Sequence, residues 1–270
     1  MPARARRARL DAELVRRGLV PSRDRAAGLI AAGRVRVAGT VATKAATAVE
    51  ASTPLLVDEP PGPTYVSRGG HKLAGALDVL GVDPAGRRAL DAGASTGGFT
   101  DVLLRRGAAH VTAVDVGYGQ LAWSLRTDAR VLVIDRVNVR ALVPERLPAP
   151  VDLVVADLSF IPLALVLPAL AACATPAADL LPMVKPQFEV GRARLPAGGV
   201  VREPALRSAA VLGVAQLAAT LGLCAHGVTA SPLPGPSGNV EYFLWLRREP
   251  GIPDEQLAAA IATAVADGPQ

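Results

Sequence analysis

The chain has 270 residues and a formal net charge of +5, and half of its residues are hydrophobic, so it can form one large domain and a small one. Only 3% of the residues are aromatic, so aliphatic side chains must supply most of any core. Cys173 and Cys224 are far apart and the three histidines are scattered, which excludes a zinc site and favours free thiols in a reducing compartment.

No targeting or membrane-spanning segment is evident in the sequence. The arginine-rich N-terminus lacks the apolar block of a secretory signal. The most membrane-like stretch, residues 161–174, is too short to span a bilayer and contains Pro162 and Pro168. We therefore expect a cytoplasmic protein with no stable membrane association, and we favour a monomer.

The positive charge is concentrated at the N-terminus. Residues 1–50 contain 11 Lys and Arg against 4 Asp and Glu, whereas the other 220 residues are nearly neutral. A basic head of this kind predicts an anionic polymer or a membrane surface as partner. A merely solubilising tail is the alternative, but the head is not of low complexity.

The head is predicted to fold as a small α+β domain over residues 1–58. Apolar residues at helical spacing predict a helix over residues 9–19. A second helix is predicted to begin with Ser22 as its N-cap and to end at Gly33. Residues 34–39 alternate between charged and apolar types, as in a half-buried strand, and residues 41–47 lead toward a second strand.

The head carries a recognisable set of residues, which covers nearly its whole length. The set is Arg9, Leu10, Asp11, Leu14, Arg17, Gly18, Ser22, Arg23, Ala26, Ile30, Gly33, Val35, Val37, Gly39 and Lys44. In this pattern the head resembles the ribosomal protein S4-type RNA-binding domain. The resemblance implies phosphate contacts in folded RNA from Arg4, Arg6, Arg9, Arg17, Ser22 and Arg23. The bidentate pairing of arginine with phosphate supports the same inference, although each arginine taken alone could be a solvated surface charge.

A proline-rich segment separates the head from the rest of the chain. Residues 59–63 contain three prolines and a glycine, which is typical of a semi-stiff linker. We place the linker at residues 59–64 and the second domain at residues 65–270.

The second domain is organised around residues 90–100, which read Leu-Asp-Ala-Gly-Ala-Ser-Thr-Gly-Gly-Phe-Thr. This pattern predicts a strand, a tight glycine turn and the start of a helix, where backbone N–H groups are free. Ser95 stands where a pyrophosphate-binding fingerprint has its middle glycine, so the turn suits S-adenosylmethionine better than NAD. A mere strand-to-helix connection is the alternative reading.

Three apolar strands that follow the turn each end in an aspartate: Asp115, Asp135 and Asp157. Parallel strands place such residues at the carboxyl edge of the sheet, where open α/β sheets bind ligands. Further elements are predicted as strands at residues 179–184, 226–231 and 240–247, and as helices at residues 203–221 and 254–266. This alternation predicts an α/β fold with a doubly wound sheet.

The chain has only three lysines against 26 arginines. A lysine amine can lose its proton when it is desolvated or lies near another cation, and a guanidinium cannot. Lys185 follows the fifth predicted strand and precedes Pro186, which places its amine at the ligand-binding edge. Lys72 and Lys185 are therefore candidate catalytic residues, although chance survival of an ordinary lysine is the alternative.

Four residues match a known active site: Lys72 in Arg-Gly-Gly-His-Lys, Asp157 in Ala-Asp-Leu-Ser, Lys185 in Val-Lys-Pro-Gln-Phe, and Glu241 in Asn-Val-Glu-Tyr. In this tetrad the second domain resembles the FtsJ-like ribose 2′-O-methyltransferases, which have a Rossmann-like class I methyltransferase fold. The two domains in this order resemble the TlyA family over the full chain. That resemblance implies S-adenosylmethionine-dependent methylation of cytidine ribose in small- and large-subunit ribosomal RNA.

The resemblance also assigns roles to the site residues. Lys185, kept partly neutral by Lys72 and by burial, is expected to take the 2′-hydroxyl proton or to orient the hydroxyl, and Asp157 and Glu241 are expected to hold the amines. The expected cofactor contacts are Gly93, Ser95, Thr96 and Gly97 at the methionine end, Asp115 at the ribose, Asp135 at the adenine edge, and Asp157. Two further RNA contacts are expected at Arg68 and Arg136.

Three alternative functions compete with this one. A membrane-active haemolysin would need a spanning or strongly amphipathic apolar segment, and none is evident. A non-enzymatic RNA chaperone would use the head alone. Enzymes that isomerise uridine also use such a head. Their reaction needs no pocket for a sulfonium cofactor, so the glycine turn argues against this alternative.

Overall fold

The structure, a computed structural model, describes residues 7–20, 22–58 and 65–269, and the chain divides into two compact units, Met1–Thr64 and Tyr65–Gln270. The predicted linker at residues 59–64 lies outside the described residues. Arg4 and Arg6, which we predict to contact RNA, also lie outside them.

The N-terminal unit is a small α+β domain. Its elements are β1 (Arg7–Arg9), α1 (Leu10–Arg16), α2 (Arg23–Ala31), β2 (Val35–Val37), β3 (Thr40–Val41), β4 (Ala48–Glu50) and β5 (Leu55–Val57). Strands β1 and β4 pair with each other, and β3, β2 and β5 form an antiparallel sheet. The two helices pack against each other through apolar residues that include the fully buried Leu10, Leu14 and Ile30.

In this unit the structure confirms the predicted cap of the second helix and corrects the end of the first helix. The Ser22 side chain accepts a hydrogen bond from the Arg25 N–H, which confirms the predicted cap. The first helix ends at Arg16, earlier than predicted, and Gly18 follows with φ of +69°. Residues 41–47 lead to a second strand, as expected: Thr47 donates two hydrogen bonds to the Lys44 carbonyl, and β4 begins at Ala48.

The C-terminal unit is built on a mostly parallel sheet. Seven strands form this sheet in the described part of the chain: β6 (Arg88–Ala92), β7 (His110–Val114), β8 (Val131–Ile134), β9 (Val151–Ala156), β10 (Ala174–Val184), β11 (Cys224–Ala230) and β12 (Tyr242–Arg247). Their spatial order is β11-β12-β10-β9-β6-β7-β8, and β12 runs antiparallel to both of its neighbours. The remaining four pairings are parallel.

Helices cover both faces of this sheet, as the doubly wound prediction requires. They are α3 (Arg68–Leu80), α4 (Gly98–Arg105), α5 (Trp123–Arg126), α6 (Leu167–Cys173), α7 (Pro186–Glu189), α8 (Pro204–Thr220) and α9 (Asp254–Asp267). One apolar core contains α3, α4 and α5, and the other contains α6, α8 and α9. Alternate residues of β9, such as Leu153 and Val154, point to opposite cores, so the strand is buried on both faces.

The structure corrects several predicted boundaries in this unit. Strand β10 begins at Ala174 rather than at Asp179, and α6 occupies part of the stretch that is most membrane-like in sequence. Asp254 is the first residue of α9, and Pro253 is its N-cap. Within the residues that the structure describes, no helix has both the length and the apolar character needed to cross a bilayer.

Candidate functional site

The predicted site residues next to six strands meet at one edge of the sheet. In the register of the parallel strands, Ala92, Val114, Ile134 and Ala156 lie side by side. The residues that follow them, Gly93, Asp115, Asp135 and Asp157, therefore emerge together. Lys185 follows β10 at the same edge, and Glu241 precedes β12, because an antiparallel strand begins where its parallel neighbours end.

The glycine turn after β6 needs glycine for both conformation and space. Gly93 has φ of +85°, and a Cβ atom there would lie 2.5 Å from the backbone oxygen of Asp157. Gly97, the N-cap of α4, has φ of +98°, and its Cβ atom would overlap the Leu125 side chain. The turn is therefore held close to its neighbours, as a ligand cradle requires.

Asp115 is fixed by the backbone of two loops. One carboxylate oxygen accepts from the Ser95 N–H at 2.8 Å and the other from the Gly117 N–H at 2.6 Å. Each oxygen retains a lone pair for a further donor. The aspartate thus presents an oriented carboxylate of the kind that binds the hydroxyls of a ribose.

A cavity of about 580 Å³ opens at this edge. Its lining residues are Gly93, Ser95, Asp115, Val116, Gln120, Val137, Asn138, Val139, Arg140, Asp157, Leu158, Ser159, Phe160, Ile161, Pro162, Leu165 and Val166. The lining includes both acidic or small polar groups and aliphatic side chains. This combination suits a nucleoside, which has a polar sugar and an apolar base face.

Four of the predicted cofactor residues line this cavity, namely Gly93, Ser95, Asp115 and Asp157. Among the described residues, the lining does not include Thr96, Gly97 or Asp135. Asp135 instead accepts from the Gly119 N–H and forms an ion pair with Arg126 at 3.1 Å, so its predicted contact with adenine remains a prediction.

Two stretches of the lining were missed by the sequence analysis: residues 137–140 after β8, and residues 158–162 after β9. They consist mostly of ordinary apolar residues without a motif. Their position directly behind the strand-ending aspartates was the only available signal.

The structure brings the four tetrad residues together as a chain of alternating charges. Lys72 Nζ lies 2.5 Å from Glu241 Oε2, and Lys185 Nζ lies 4.0 Å from Glu241 Oε1. Lys185 Nζ also lies 2.6 Å from Asp157 Oδ1 and 3.0 Å from Ser159 Oγ. Glu241 is thus shared between two ammonium groups, and Lys185 is shared between two carboxylates.

The tetrad is buried except at its Asp157 end. The side chains of Lys72, Lys185 and Glu241 are less than a tenth exposed, whereas that of Asp157 is 26% exposed. Asp157 also lines the cavity. Asp157 is therefore the tetrad residue that a ligand in the cavity can reach, and Lys185 Nζ lies directly behind it at 2.6 Å.

A turn in the loop before β12 presses against Glu241. A Cβ atom at Gly235 would lie 2.7 Å from Glu241 Oε1. The turn is closed by the Gly235 N–H, which donates to the Asn239 carbonyl at 2.8 Å. Gly235 therefore helps to define where the Glu241 carboxylate can lie.

Asp91, inside β6, is a buried carboxyl group close to the site. Its Oδ2 accepts from the Thr100 hydroxyl at 2.6 Å, and its Oδ1 has no hydrogen-bond partner among the described residues. Burial, together with the negative charges of Asp157 and Asp115, raises the pKa of Asp91 to about 7. Asp91 carries no motif of its own in the sequence, where it lies inside a mostly apolar strand.

Two arginines that we predict to contact RNA are exposed in the C-terminal unit. Arg68, the first residue of α3, lies with Nη2 3.4 Å from the Pro234 carbonyl oxygen. Arg136 has φ of +60°, and its guanidinium lies over the Tyr118 ring at 4.2 Å. Both guanidinium groups have donors left for other partners.

The head presents a separate cluster built on Asp11. This carboxylate is almost fully buried, and it holds the half-exposed guanidinium groups of Arg9 at 3.1 Å and Arg23 at 2.8 Å. The hydrogen bonds from Arg9 and Arg23 keep the pKa of Asp11 well below its usual range. Two permanent cations are thereby fixed next to each other on the surface.

Arg17 has a different environment from the one we expected. Its guanidinium donates to Glu13 and to the carbonyl oxygens of Thr53, Glu50 and Ala51. These bonds join α1 to the β4–β5 turn and use most of its donors. One N–H of this guanidinium is left for another partner, and the contact of Arg17 with RNA stays a prediction.

Two family models match this chain. The FtsJ-like methyltransferase model covers residues 65–248, and the S4 domain model covers residues 8–53. The first match contains all four tetrad residues and the glycine turn. The second contains the Asp11 cluster.

Similar proteins extend over the whole length of the chain. The 16S/23S rRNA (cytidine-2′-O)-methyltransferase TlyA of Mycobacterium tuberculosis is 60% identical, with 98% of this chain and 100% of that protein covered. The 23S rRNA (cytidine-2′-O)-methyltransferase TlyA of Campylobacter jejuni is 34% identical over 67% of this chain and 70% of that protein. A solved structure from Streptococcus thermophilus is 35% identical with a TM-score of 0.77, and it covers 97% of this chain and 96% of that one.

Proposed function

This chain belongs to the TlyA family within the FtsJ-like methyltransferases, and on that basis we propose that it methylates the 2′-hydroxyl of cytidine in ribosomal RNA of both subunits. The observation that carries the proposal is the Lys185–Asp157 pair at the wall of a nucleoside-sized cavity. The methyl donor is S-adenosylmethionine, the partner is RNA within the ribosomal subunits, and the site of action is the cytoplasm.

The residues present fit this cofactor. The oriented Asp115 carboxylate suits the ribose hydroxyls, and the close-packed Gly93 turn leaves room for a methionine end beside Ser95. Val116 is 71% exposed and forms an apolar part of the cavity wall, as an adenine ring requires. S-adenosylmethionine supplies a methyl group that is already activated by its positively charged sulfur.

The protein's own contribution is to align a weak nucleophile and to receive its proton. A ribose hydroxyl that enters beside Lys185 Nζ meets an amine held by Asp157 and Ser159. This placement fixes the direction of attack, which is worth several orders of magnitude in rate when the reacting atoms are held in line. The pair would also lie within reach of the hydroxyl proton, which would pass to it as the oxygen–methyl bond forms and the sulfur–methyl bond of the donor breaks, leaving S-adenosylhomocysteine.

Glu241 and Lys72 stabilise this arrangement from behind. Glu241 lies between the two lysines. A change of protonation at Lys185 is therefore coupled to the buried Glu241 carboxylate, which is itself paired with Lys72. The buried ammonium of Lys72 keeps Glu241 from being an unpaired buried charge. Both residues are linked to the cavity-lining Asp157 through Lys185.

RNA contacts are proposed in both units. In the head, Arg9 and Arg23 offer two adjacent guanidinium groups, and phosphate pairs with such forks in bidentate fashion. In the methyltransferase unit, Arg68 and Arg136 are exposed cations that can bind the backbone of the target strand.

Transfer of a labelled methyl group to isolated ribosomal subunits tests the proposal. Purified protein, labelled S-adenosylmethionine and 30S or 50S subunits should give label in RNA, and nuclease mapping should place it on cytidine 2′-oxygens. The matched control is Gly97→Arg, which should abolish labelling because any side chain there overlaps Leu125. Label on a base rather than a ribose, or no label with the wild-type protein, would contradict the proposal.

A further inference from the structure

Two segments that leave adjacent strands are joined along their length beside the tetrad. The first, residues 157–163, follows β9, and the second, residues 185–189, follows β10 and contains α7. Their first contacts are those of Lys185 with Asp157 and with Ser159. The next is between Phe160 and Phe188, whose ring centroids are 5.3 Å apart.

The last contact is made by Glu189, a residue that the reaction described above does not use. Its Oε1 accepts from the backbone N–H of Leu163 at 2.9 Å. The side chain is partly buried, and that burial raises the pKa of Glu189. A carboxylate in such a position is retained only where its hydrogen bond offsets the cost of desolvation.

The segment held by this contact is exposed in its middle, at Ser159 and Phe160. Phe160 has φ of +65°, which is unfavourable for a bulky residue, and its side chain is 90% exposed. Residues 158–162 nevertheless form a wall of the cavity. Polar contacts with Lys185 at one end and Glu189 at the other therefore hold this wall, together with the packing of its apolar side chains on the core.

We propose that Glu189 is a positioning residue, which fixes the 157–163 segment so that an RNA ribose enters in line with Lys185. The inference rests on the proposed function. Glu189 acts through reach and acceptor geometry rather than through its charge, because its partner is a neutral backbone N–H. Ser159 and Phe160 can then stay exposed while the segment keeps its position.

Three substitutions of Glu189 distinguish the effect of its side-chain length from the effect of its charge. Glu189→Gln keeps the acceptor and removes the charge, Glu189→Asp keeps the charge and shortens the side chain, and Glu189→Ala removes both. Glu255→Ala, at an exposed position in the first turn of α9, is the matched control. Methyl transfer to ribosomal subunits is measured at saturating S-adenosylmethionine, alongside cofactor affinity by titration calorimetry and thermal melting.

Loss of one such hydrogen bond at the site should lower kcat by about tenfold in the Asp and Ala variants, while Gln stays within about twofold of wild type. Cofactor affinity should fall less than kcat does, which a general loss of structure would not produce. If Glu189→Ala fails to fold, the comparison of Gln with Asp decides the matter. Full activity of Glu189→Asp, equal loss in all variants, or equal loss of affinity and rate would overturn the inference. An inactive wild type would defeat the proposed function and this inference together.

Discussion

The head and the methyltransferase unit use the same device, a buried carboxylate that holds two cations, in opposite ways. In the head, Asp11 holds Arg9 and Arg23, whose side chains are 53% and 58% exposed. In the methyltransferase unit, the two cations beside Glu241 are lysines, and their side chains are 9% and 8% exposed.

The difference follows from what each cation must do. A guanidinium keeps its charge at every accessible pH, and its planar fork suits a phosphate approached from solvent. An ammonium group can exchange a proton, but it must be held and partly desolvated to do so. Exposure therefore distinguishes the cations that bind a polyanion from those that take part in a reaction.

The largest expected effect comes from replacing Lys185 by arginine, which keeps the positive charge but cannot exchange a proton. Lys185→Arg should lower methyl transfer by about 10²–10⁴-fold, the usual range for loss of a general acid or base, while cofactor affinity stays close to wild type. Single-turnover transfer and titration calorimetry measure the two quantities. Lys44→Arg, at an exposed position in the head, should leave transfer unchanged. Near-normal turnover of Lys185→Arg would remove proton exchange by lysine from the mechanism.

A methyl group added next to the buried carboxylate tests how sharply that carboxylate must be placed. Gly235→Ala puts a Cβ atom 2.7 Å from Glu241 Oε1, so the carboxylate must shift. We expect transfer to fall by about tenfold, since displacements of about 1 Å can cost up to a hundredfold. Gly213→Ala is the control, because its Cβ atom meets nothing within 4 Å. Equal activity of the two variants would show that Glu241 tolerates displacement.

The head offers a test in which charge and geometry predict opposite results. Asp11→Asn makes the head more positive, so simple electrostatics predicts tighter RNA binding. If Asp11 fixes Arg9 and Arg23, binding should weaken by about fivefold, equivalent to roughly 1 kcal/mol of lost pre-organisation. Asp24→Asn changes the charge equally at an exposed position and should bind slightly tighter. Filter binding to ribosomal RNA fragments, with circular dichroism as a folding control, decides between them.

Asp91 extends the comparison to a buried carboxyl group with no cation on it. Its pKa is about 7 in the folded protein and 3.8 ordinarily, so the folded state binds the extra proton. The stability that this proton provides is complete below about pH 4 and is lost as the pH rises through about 7. Asp91→Asn should therefore reduce the fall in melting temperature between about pH 5 and pH 8 by roughly 5–10 °C, because about 2 pH units at about 1.4 kcal/mol each amount to roughly 3 kcal/mol in a domain of this size.

The matched control for that measurement is Asp254→Asn, at an exposed position in α9. It should leave the pH dependence of melting as in the wild type. A wild-type profile that is flat over the same range would show that Asp91 is ionised throughout.

The sequence predicted the parts of the molecule where a residue type has few alternative uses. The glycine turn, the strand-ending aspartates and the rare lysines each met a strong local constraint, and the structure places Lys72, Asp157, Lys185 and Glu241 together. Strand β12 needed no long-range information either, because its run of apolar residues is unmistakable.

What the sequence could not give depends on contacts between distant residues. Arg17 has the same side chain as Arg9, and only the carbonyl groups of the β4–β5 turn distinguish its surroundings. Asp135 is one of three similar strand ends, yet the nearby Arg126 pairs with it. Phe160 and Glu189 carry no motif, and their roles follow from how two loops meet in space.

The antiparallel strand β12 has a consequence for the order in which a newly made chain becomes active. The cavity-lining residues all precede Pro168, whereas Glu241, the partner of Lys72, lies 169 positions after that lysine in the sequence. Strand β11 is synthesised before β12, but in the sheet it pairs with β12, which lies between β11 and β10. In a polypeptide still emerging from the ribosome, the residues of the nucleoside pocket are therefore all present before the tetrad is complete. Translation that stops before Glu241 and β12 yields a protein that cannot catalyse methyl transfer.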